Sequence, residues 1–330
     1  MKVFLATSRW VAPLDESVRT ALSLSLRREV PLKVFMANQP GGSGSLDARY
    51  MDEVALRKDS INEISILCSF HYFRRIALSN ILGRFPGLKV NLFADSGGFS
   101  AATLGTPVRL KEYVDWLHKN GDSISLYANL DVIGDPIKSK RNLAVLESEG
   151  LSPMPVFHVG SDFKYLDEML ETKNYIALGG MVPYMKDQRK QLGNWCHKVF
   201  ERIEKRATAK VSCHGFGVGT SWNIARGFPW QSIDSSAWTS AFQFRSVSVF
   251  DDKLERFVGI DLGSGAEQAI FNHARLLHSY GFAPTDFYPA SKFTYVKAGA
   301  LSVMSMLRAE RFLTARGGRR EVKRKVTLTP

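Results

Sequence analysis

The sequence predicts an α/β protein built as a (β/α)8 TIM barrel with a C-terminal α+β extension. Three observations carry that expectation. Eight strand-like runs alternate with helical patterns, their starts lie 21 to 36 residues apart, and polar or glycine residues close one run after another. The runs are Lys33–Ala37, Ile66–His71, Val90–Asp95, Ser125–Asp131, Met154–His158, Tyr175–Gly180, Val211–Phe216 and Ser232–Asp234. A doubly wound open sheet would produce similar local signals, so closure is an inference from the count.

Taken in order, Lys2–Thr7 reads as a further strand and Pro13–Arg28 as an amphipathic helix entered near Asp15. The glycine-rich Gln39–Ser45 reads as a lid or surface excursion. Helical patterns at Arg109–Asn120, Phe163–Thr172 and Asp187–Lys205 fill gaps between strands. Beyond Trp238 the rhythm changes. Phe242–Phe250 and Leu254–Ile260 flank Asp251-Asp252-Lys253 as a hairpin, and helices follow at Ala266–Tyr280 and Ser291–Leu313. Phe293, Val296, Leu301, Met304 and Leu307 fit one packed face of the second helix. Arg316–Lys325 reads as a frayed basic tail. The expected domains are therefore 1–240, the barrel, and 241–330, the extension packed on it.

Composition narrows the partners. Of 330 residues, 45% are hydrophobic and 11% aromatic, which argues for a folded globule. Lys and Arg number 44 against 32 Asp and Glu, and the net charge of +12 makes a polyanion, first of all nucleic acid, the natural partner. Cys68, Cys196 and Cys213 are few and scattered, as expected of reduced thiols in a cytoplasmic protein. No apolar run has the length of a membrane span, and Thr7, Ser8 and Arg9 interrupt the opening.

The stretch with most chemical content is Leu92–Ser100, a strand that stops at Asp95 before Gly97 and Gly98. By itself it could be a plain Asx turn. Asp131 and Asp234 close two other strands, and in a barrel all three would converge on one mouth. Paired carboxylates suit double displacement at an anomeric carbon, one attacking while the other handles protons. Each aspartate could instead cap the helix that follows it. Gly215, Gly217 and Gly219 have G-x-G-x-G spacing, which is not the dinucleotide fingerprint, so no nicotinamide cofactor is expected. His71, His158 and His214 lie at strand ends. The chain has no H-x-H, H-E-x-x-H or C-x-x-C, so no metal is expected either.

Asp95-Ser96-Gly97-Gly98-Phe99 resembles the D-S-G-G-[FY]-Q signature of the tRNA-guanine transglycosylases, barrel enzymes that exchange guanine for a 7-deazaguanine. The later features agree in order: Asp131, Phe157–Ser161, Leu178-Gly179-Gly180, Gly217-Val218-Gly219-Thr220 and Ile233-Asp234-Ser235. The resemblance spans roughly residues 31 to 240. It implies that Asp234 attacks C1′ and forms a covalent glycosyl-enzyme, and that Asp95 moves the proton of leaving and entering bases. By the same resemblance Ser96, Gly97, Gly98, Phe99, Asp131, His158, Gly179, Gly180, Gly217 and Gly219 bind the base. Phe99 would stack on it, Asp131 would take its N–H edge and Gly180 would meet its carbonyl oxygen.

The chain departs from that family in three places. Ser100 stands where the family carries Gln, His158 stands where its base-reading Gln is expected, and no Cys follows Cys213, so the zinc subdomain is absent. In this the chain is similar to the compact phage and bacterial DNA-guanine transglycosylases of the DpdA type. The partners this implies are DNA and a free 7-deazaguanine such as 7-cyano-7-deazaguanine, with neither cofactor nor metal. Candidates for DNA contact are Lys138, Lys140, Arg141, Lys186, Arg189 and Lys190, with Arg319, Arg320, Lys323, Arg324 and Lys325 in the tail. Exchange on tRNA, or a nucleic-acid-binding barrel without catalysis, are the alternatives.

Overall fold

A computed structural model of the protein describes residues 1–7, 63–83, 89–99, 103, 105–237, 244–263, 265–288 and 292–326. Its centre is an eight-stranded sheet in the order β4-β3-β2-β1-β8-β7-β6-β5. The strands are β1 Lys2–Thr7, β2 Glu63–Ser69, β3 Lys89–Asp95, β4 Leu126–Tyr127, β5 Val156–His158, β6 Tyr175–Gly179, β7 Ser212–Gly215 and β8 Ser232–Ser235. Every neighbouring pair is parallel. The segments next to β4 and β5 share one isolated contact. Ala128 and Met154 form a parallel bridge, the Met154 amide donates to the Tyr127 carbonyl at 2.9 Å, and the Asn129 amide donates to the Met154 carbonyl at 2.8 Å.

Three strand expectations need correction. The place between β2 and β8 belongs to Lys2–Thr7, which pairs with both, whereas Lys33–Ala37 lies outside the described residues together with Pro13–Arg28 and Gln39–Ser45. Ile66–His71 does not run to its histidine. The strand ends at Ser69, and Phe70–Phe73 forms one helical turn whose Phe70 and Phe73 are buried. Ser125–Asp131 shrinks to Leu126–Tyr127, because the Asn129 amide turns aside to Met154 and the Asn129 side-chain amide donates to the Ser139 carbonyl at 2.8 Å.

Alternation along the strands separates two kinds of core. Ile64, Ile66 and Cys68 of β2 pack with Tyr113, Trp116 and Leu117 of helix α1 (Leu110–Asn120). Ile176 and Leu178 of β6 pack with Leu166 and Leu170 of α3 (Phe163–Thr172) and Leu192, Cys196, Val199 and Ile203 of α4 (Arg189–Arg206). The intervening strand residues Leu67, Phe93, Val156 and Ala177 face the other way and join Ala128 and Met154 in a small cluster of their own. Each fully buried Leu or Ile contributes about 2 kcal/mol. Helix α2 (Pro136–Ser148) begins with a proline behind Asp135, whose carboxylate accepts from the Lys138 amide at 2.9 Å. Asp162 caps α3 through the Lys164 amide, also at 2.9 Å.

The expected hairpin is present as β9 (Ser246–Asp251) antiparallel to β10 (Arg256–Asp261). The first helical stretch divides at His273 into Glu267–Asn272 and Ala274–Tyr280. The last is longer than expected. Lys292–Val326 is helical for 35 residues, so Arg316–Lys325 continues a helix and is not frayed. Leu301 and Met304 are buried and Leu307 packs against the core, while the side chains of Phe293 and Val296 lie outside the described residues. Trp222, on helix α5 (Trp222–Gly227), joins the extension to the sheet: its ring meets Phe250, Phe257 and Phe312, and its Nε1–H donates to the Glu255 carbonyl at 2.6 Å.

Candidate active site

At the C-terminal end of the sheet the inward-facing positions turn polar. On β3, Phe93 is followed two residues later by Asp95, and on β2, Leu67 is followed by Ser69, which pairs with Asp95 in register. Asp95 Oδ2 accepts from the Gly97 amide at 3.1 Å, the Asx-turn contact the sequence allowed. Burial above all, then the negative charge of Asp131 and, more weakly, that of Asp234, push the Asp95 carboxyl up to about 7 against the opposing effects of the Ser69 hydroxyl and the Gly97 amide. Asp95 is thus an acid that holds its proton near neutral pH.

Asp131 stands four residues past β4 and is held by neighbours on both oxygens. Ser96 Oγ donates to Oδ1 at 3.1 Å, and His158 Nε2 lies 2.7 Å from Oδ2. A carboxylate accepts, so the hydrogen at this contact sits on Nε2. The His158 ring crosses β6 at Gly179, where an added Cβ would come within 2.9 Å of His158 Cδ2. Only glycine leaves that space.

Asp234 sits on β8, with its Oδ1 accepting the Gly217 amide at 2.7 Å. Gly217 turns that amide toward the carboxylate with φ +68°, and an added Cβ would lie 2.5 Å from Val182 Cγ2. His214 Nε2 faces the same Oδ1 at 3.4 Å. Among the described residues no donor reaches Asp234 Oδ2. None of the three aspartates caps a helix among the described residues, whereas Asp135 and Asp162 do.

The remaining sequence candidates divide by position. Ser96, Gly97 and Gly98 form the turn after β3; Gly180 follows β6, and Gly219 packs on the end of β8, its would-be Cβ 2.4 Å from Ser235 Cβ. Phe99 is 49% exposed beside them; Ile133 and Val182, on other loops that follow strand ends, and Ile137, in the first turn of α2, are also exposed. Lys138 lies in the first turn of α2, and Lys186, Arg189 and Lys190 lie in the segment after β6; all four are exposed at the same end of the sheet. Arg141 is exposed further along α2. Lys140 does not join them, because its ammonium pairs with Glu168 of α3 at 2.8 Å. The side chains of Arg319, Arg320, Lys323, Arg324 and Lys325 lie outside the described residues. Among the described residues no three His, Cys, Asp or Glu have the geometry of a metal site.

Sequence reasoning missed the groups beneath Asp234. His214 Nδ1 lies 2.7 Å from Ser232 Oγ, which lies 2.5 Å from the Tyr175 hydroxyl. The available signal was alternation: Ser232 and Asp234 share a face of β8, and His214 pairs with Ser232 in register.

No protein-family model matches the chain, and no curated protein matches it. Solved structures that it resembles include the carboxyl transferase domain of Rhizobium etli pyruvate carboxylase with pyruvate, at 11% identity and a TM-score of 0.39, covering 92% of this chain and 49% of that one. The same domain with 3-hydroxypyruvate matches at 12% identity and 0.39, covering 92% and 48%. The chain spans about half the length of those structures. Among the described residues no helix is long and apolar enough to cross a membrane.

Proposed function

We propose that the protein is a DNA-guanine transglycosylase, which exchanges guanine in DNA for a 7-deazaguanine through an ester between Asp234 and the sugar. The observation that carries this reading is the division of labour among the carboxylates. Asp95 keeps its proton because it is buried, with Asp131 and Asp234 nearby, while Asp234 has one oxygen fixed by the Gly217 amide and, among the described residues, no donor on the other. A carboxyl that holds its proton beside a second carboxyl with one oxygen fixed suits the pair to be acid and nucleophile. The fold we attach to it is a closed (β/α)8 barrel over residues 1–240, with 241–330 as the extension. Its support is the Ala128–Met154 bridge between the outer strands.

In the first step Asp234 Oδ2 attacks C1′ and the C1′–N9 bond breaks, while Asp95 gives its proton to the departing guanine. In the second, the entering 7-deazaguanine loses its N9 proton to Asp95 and attacks C1′, and the Asp234 ester breaks to regenerate the carboxylate. Two inversions leave the anomeric configuration unchanged. Asp131, braced by Ser96 and His158, stands where a base edge with N–H groups would be read, and Phe99 offers an exposed face for stacking. A base inside a duplex must be flipped out before Asp234 reaches its sugar. The +12 charge, with Lys138, Arg141, Lys186, Arg189 and Lys190 around the mouth, supplies the backbone grip. Three buried free cysteines fit a cytoplasmic protein.

The test is mass spectrometry of nucleosides from duplex DNA incubated with the protein and candidate 7-deazaguanines, with tRNA in parallel. A 7-deaza-deoxyguanosine product from DNA supports the reading. Exchange on tRNA alone, or on neither, overturns it.

A further inference from the structure

Below the mouth, inside the sheet, lies a polar chain that ordinary packing does not require. His214 is fully buried, its ring set edge-on to Phe93 at 4.7 Å and to Phe216 at 4.7 Å. Among these apolar rings a hydrogen-bonded path still runs from Tyr175 on β6, through Ser232 on β8, to His214 on β7, whose Nε2 faces Asp234 Oδ1 at the longer distance of 3.4 Å. We infer that Tyr175, Ser232 and His214 form a one-way donor relay that holds Asp234 Oδ1, so that Oδ2 is the bonding atom and the carboxylate is stabilised when the ester breaks. This rests on the reading of Asp234 as the nucleophile.

The direction follows from the two ends. A lone pair on His214 Nε2 would face the Asp234 carboxylate at 3.4 Å and be repelled, whereas an N–H there is attracted. Burial lowers the His214 pKa, so the ring is neutral and carries one hydrogen only, at Nε2. Nδ1 is then an acceptor, and the Ser232 hydroxyl at 2.7 Å must donate to it. That leaves the Ser232 oxygen to accept from Tyr175 at 2.5 Å, and burial raises the Tyr175 pKa and keeps its hydroxyl a donor. Three donors in series thus point toward one oxygen, which the Gly217 amide holds at 2.7 Å and His214 Nε2 faces at 3.4 Å. Their effect is largest on the second step, in which Asp234 leaves as an anion. His214 is on this account a positioning residue, since it touches neither sugar nor base.

The experiment has one arm that needs no activity. In protein labelled with ¹⁵N-histidine, the His214 ring should give the signature of the neutral Nε2–H tautomer, and Ser232→Ala, which removes one buried hydroxyl, should let the Nδ1–H form appear. A wild-type ring that carries its hydrogen on Nδ1, or is an imidazolium, overturns the relay and leaves the transglycosylase reading untouched. The second arm measures turnover and the covalent DNA–protein adduct trapped at steady state. His214→Phe should slow exchange roughly 10- to 100-fold while the trapped adduct increases, and His214→Gln, which restores an N–H, should recover most of the rate. A purely structural role would lower adduct and turnover together in both variants, and that result overturns the inference. If the wild type exchanges no base at all, the proposed function fails, and the tautomer alone then decides the relay.

Discussion

The two ends of the β2–β3 pair treat carboxylates in opposite ways. At the start of these strands Glu63 stands in register with Lys89, and at their finish Ser69 stands in register with Asp95. Glu63 accepts from Lys2 Nζ at 2.8 Å and from Asn91 Nδ2 at 2.5 Å, with Lys89 Nζ at 3.4 Å, and these partners hold its carboxyl down at about 2. Asp95, seven residues along a strand of the same length, meets burial and two further carboxylates and is raised to about 7. The N-terminal end has its charges paired and adds to stability. The C-terminal end concentrates like charge away from water, which costs stability and yields an acid and a base that chemistry can use.

Substitutions at each end should therefore move stability in opposite senses and activity only at one. The largest effect belongs to Asp234→Ala, which should lower exchange by roughly 10⁴-fold or more while DNA binding persists. Retained exchange would mean that the C-terminal end is not organised around this carboxylate. Asp95→Asn removes the proton donor and should cost about 10²- to 10⁴-fold in rate. The sign of its stability effect follows from the raised pKa. The folded state favours the protonated form, so the wild type loses stability as pH climbs from near 4 to about 7. A neutral Asn escapes that loss, and denaturant titration at pH 8 should find the variant more stable by about 2 kcal/mol, with the gap closing near pH 4.

Gly217→Ala forces a side chain onto a backbone with φ +68° and against Val182, and should destabilise by roughly 1–3 kcal/mol and reduce turnover as the amide swings off Asp234. Calorimetry and steady-state rates check both. The smallest effect should be that of Glu63→Gln, at the paired end. Its carboxylate is 37% exposed, so solvent screens the ion pairs and the loss should stay below about 1 kcal/mol, with no change in exchange. Because its pKa is depressed, that contribution exists above pH 4.5 and disappears as pH falls through about 2, where variant and wild type should melt together.

Strand ends marked by Asp95, Asp234 and the paired Gly179-Gly180 were legible because a buried strand is a short apolar run, and the residue that stops it stands out. Asp131 was legible as a residue but not as a strand end, since a two-residue strand leaves no pattern and its position depends on the bonds of Asn129 to Met154 and Ser139 and on its own to Ser96 and His158. Lys2–Thr7 was read as a strand but not given its place in the sheet, because pairing with β2 and β8 is a long-range choice that local composition does not carry. The basic segment from Arg316 looked frayed owing to its charge and terminal position, yet it continues a helix that begins at Lys292. His214 was noticed only as a histidine near a strand end. Its role depends on Ser232 and Tyr175 two strands apart, and no spacing in the chain announces that meeting.

The most direct measurement is to quench the protein in denaturant during turnover on duplex DNA, digest both polymers and locate the sugar by peptide mass spectrometry. A deoxyribosyl adduct is expected on the peptide that contains Asp234, absent from Asp234→Ala and enriched in the wild type when no entering base is supplied. An adduct on Asp95 or Asp131, or brisk exchange with no adduct anywhere, would contradict that expectation.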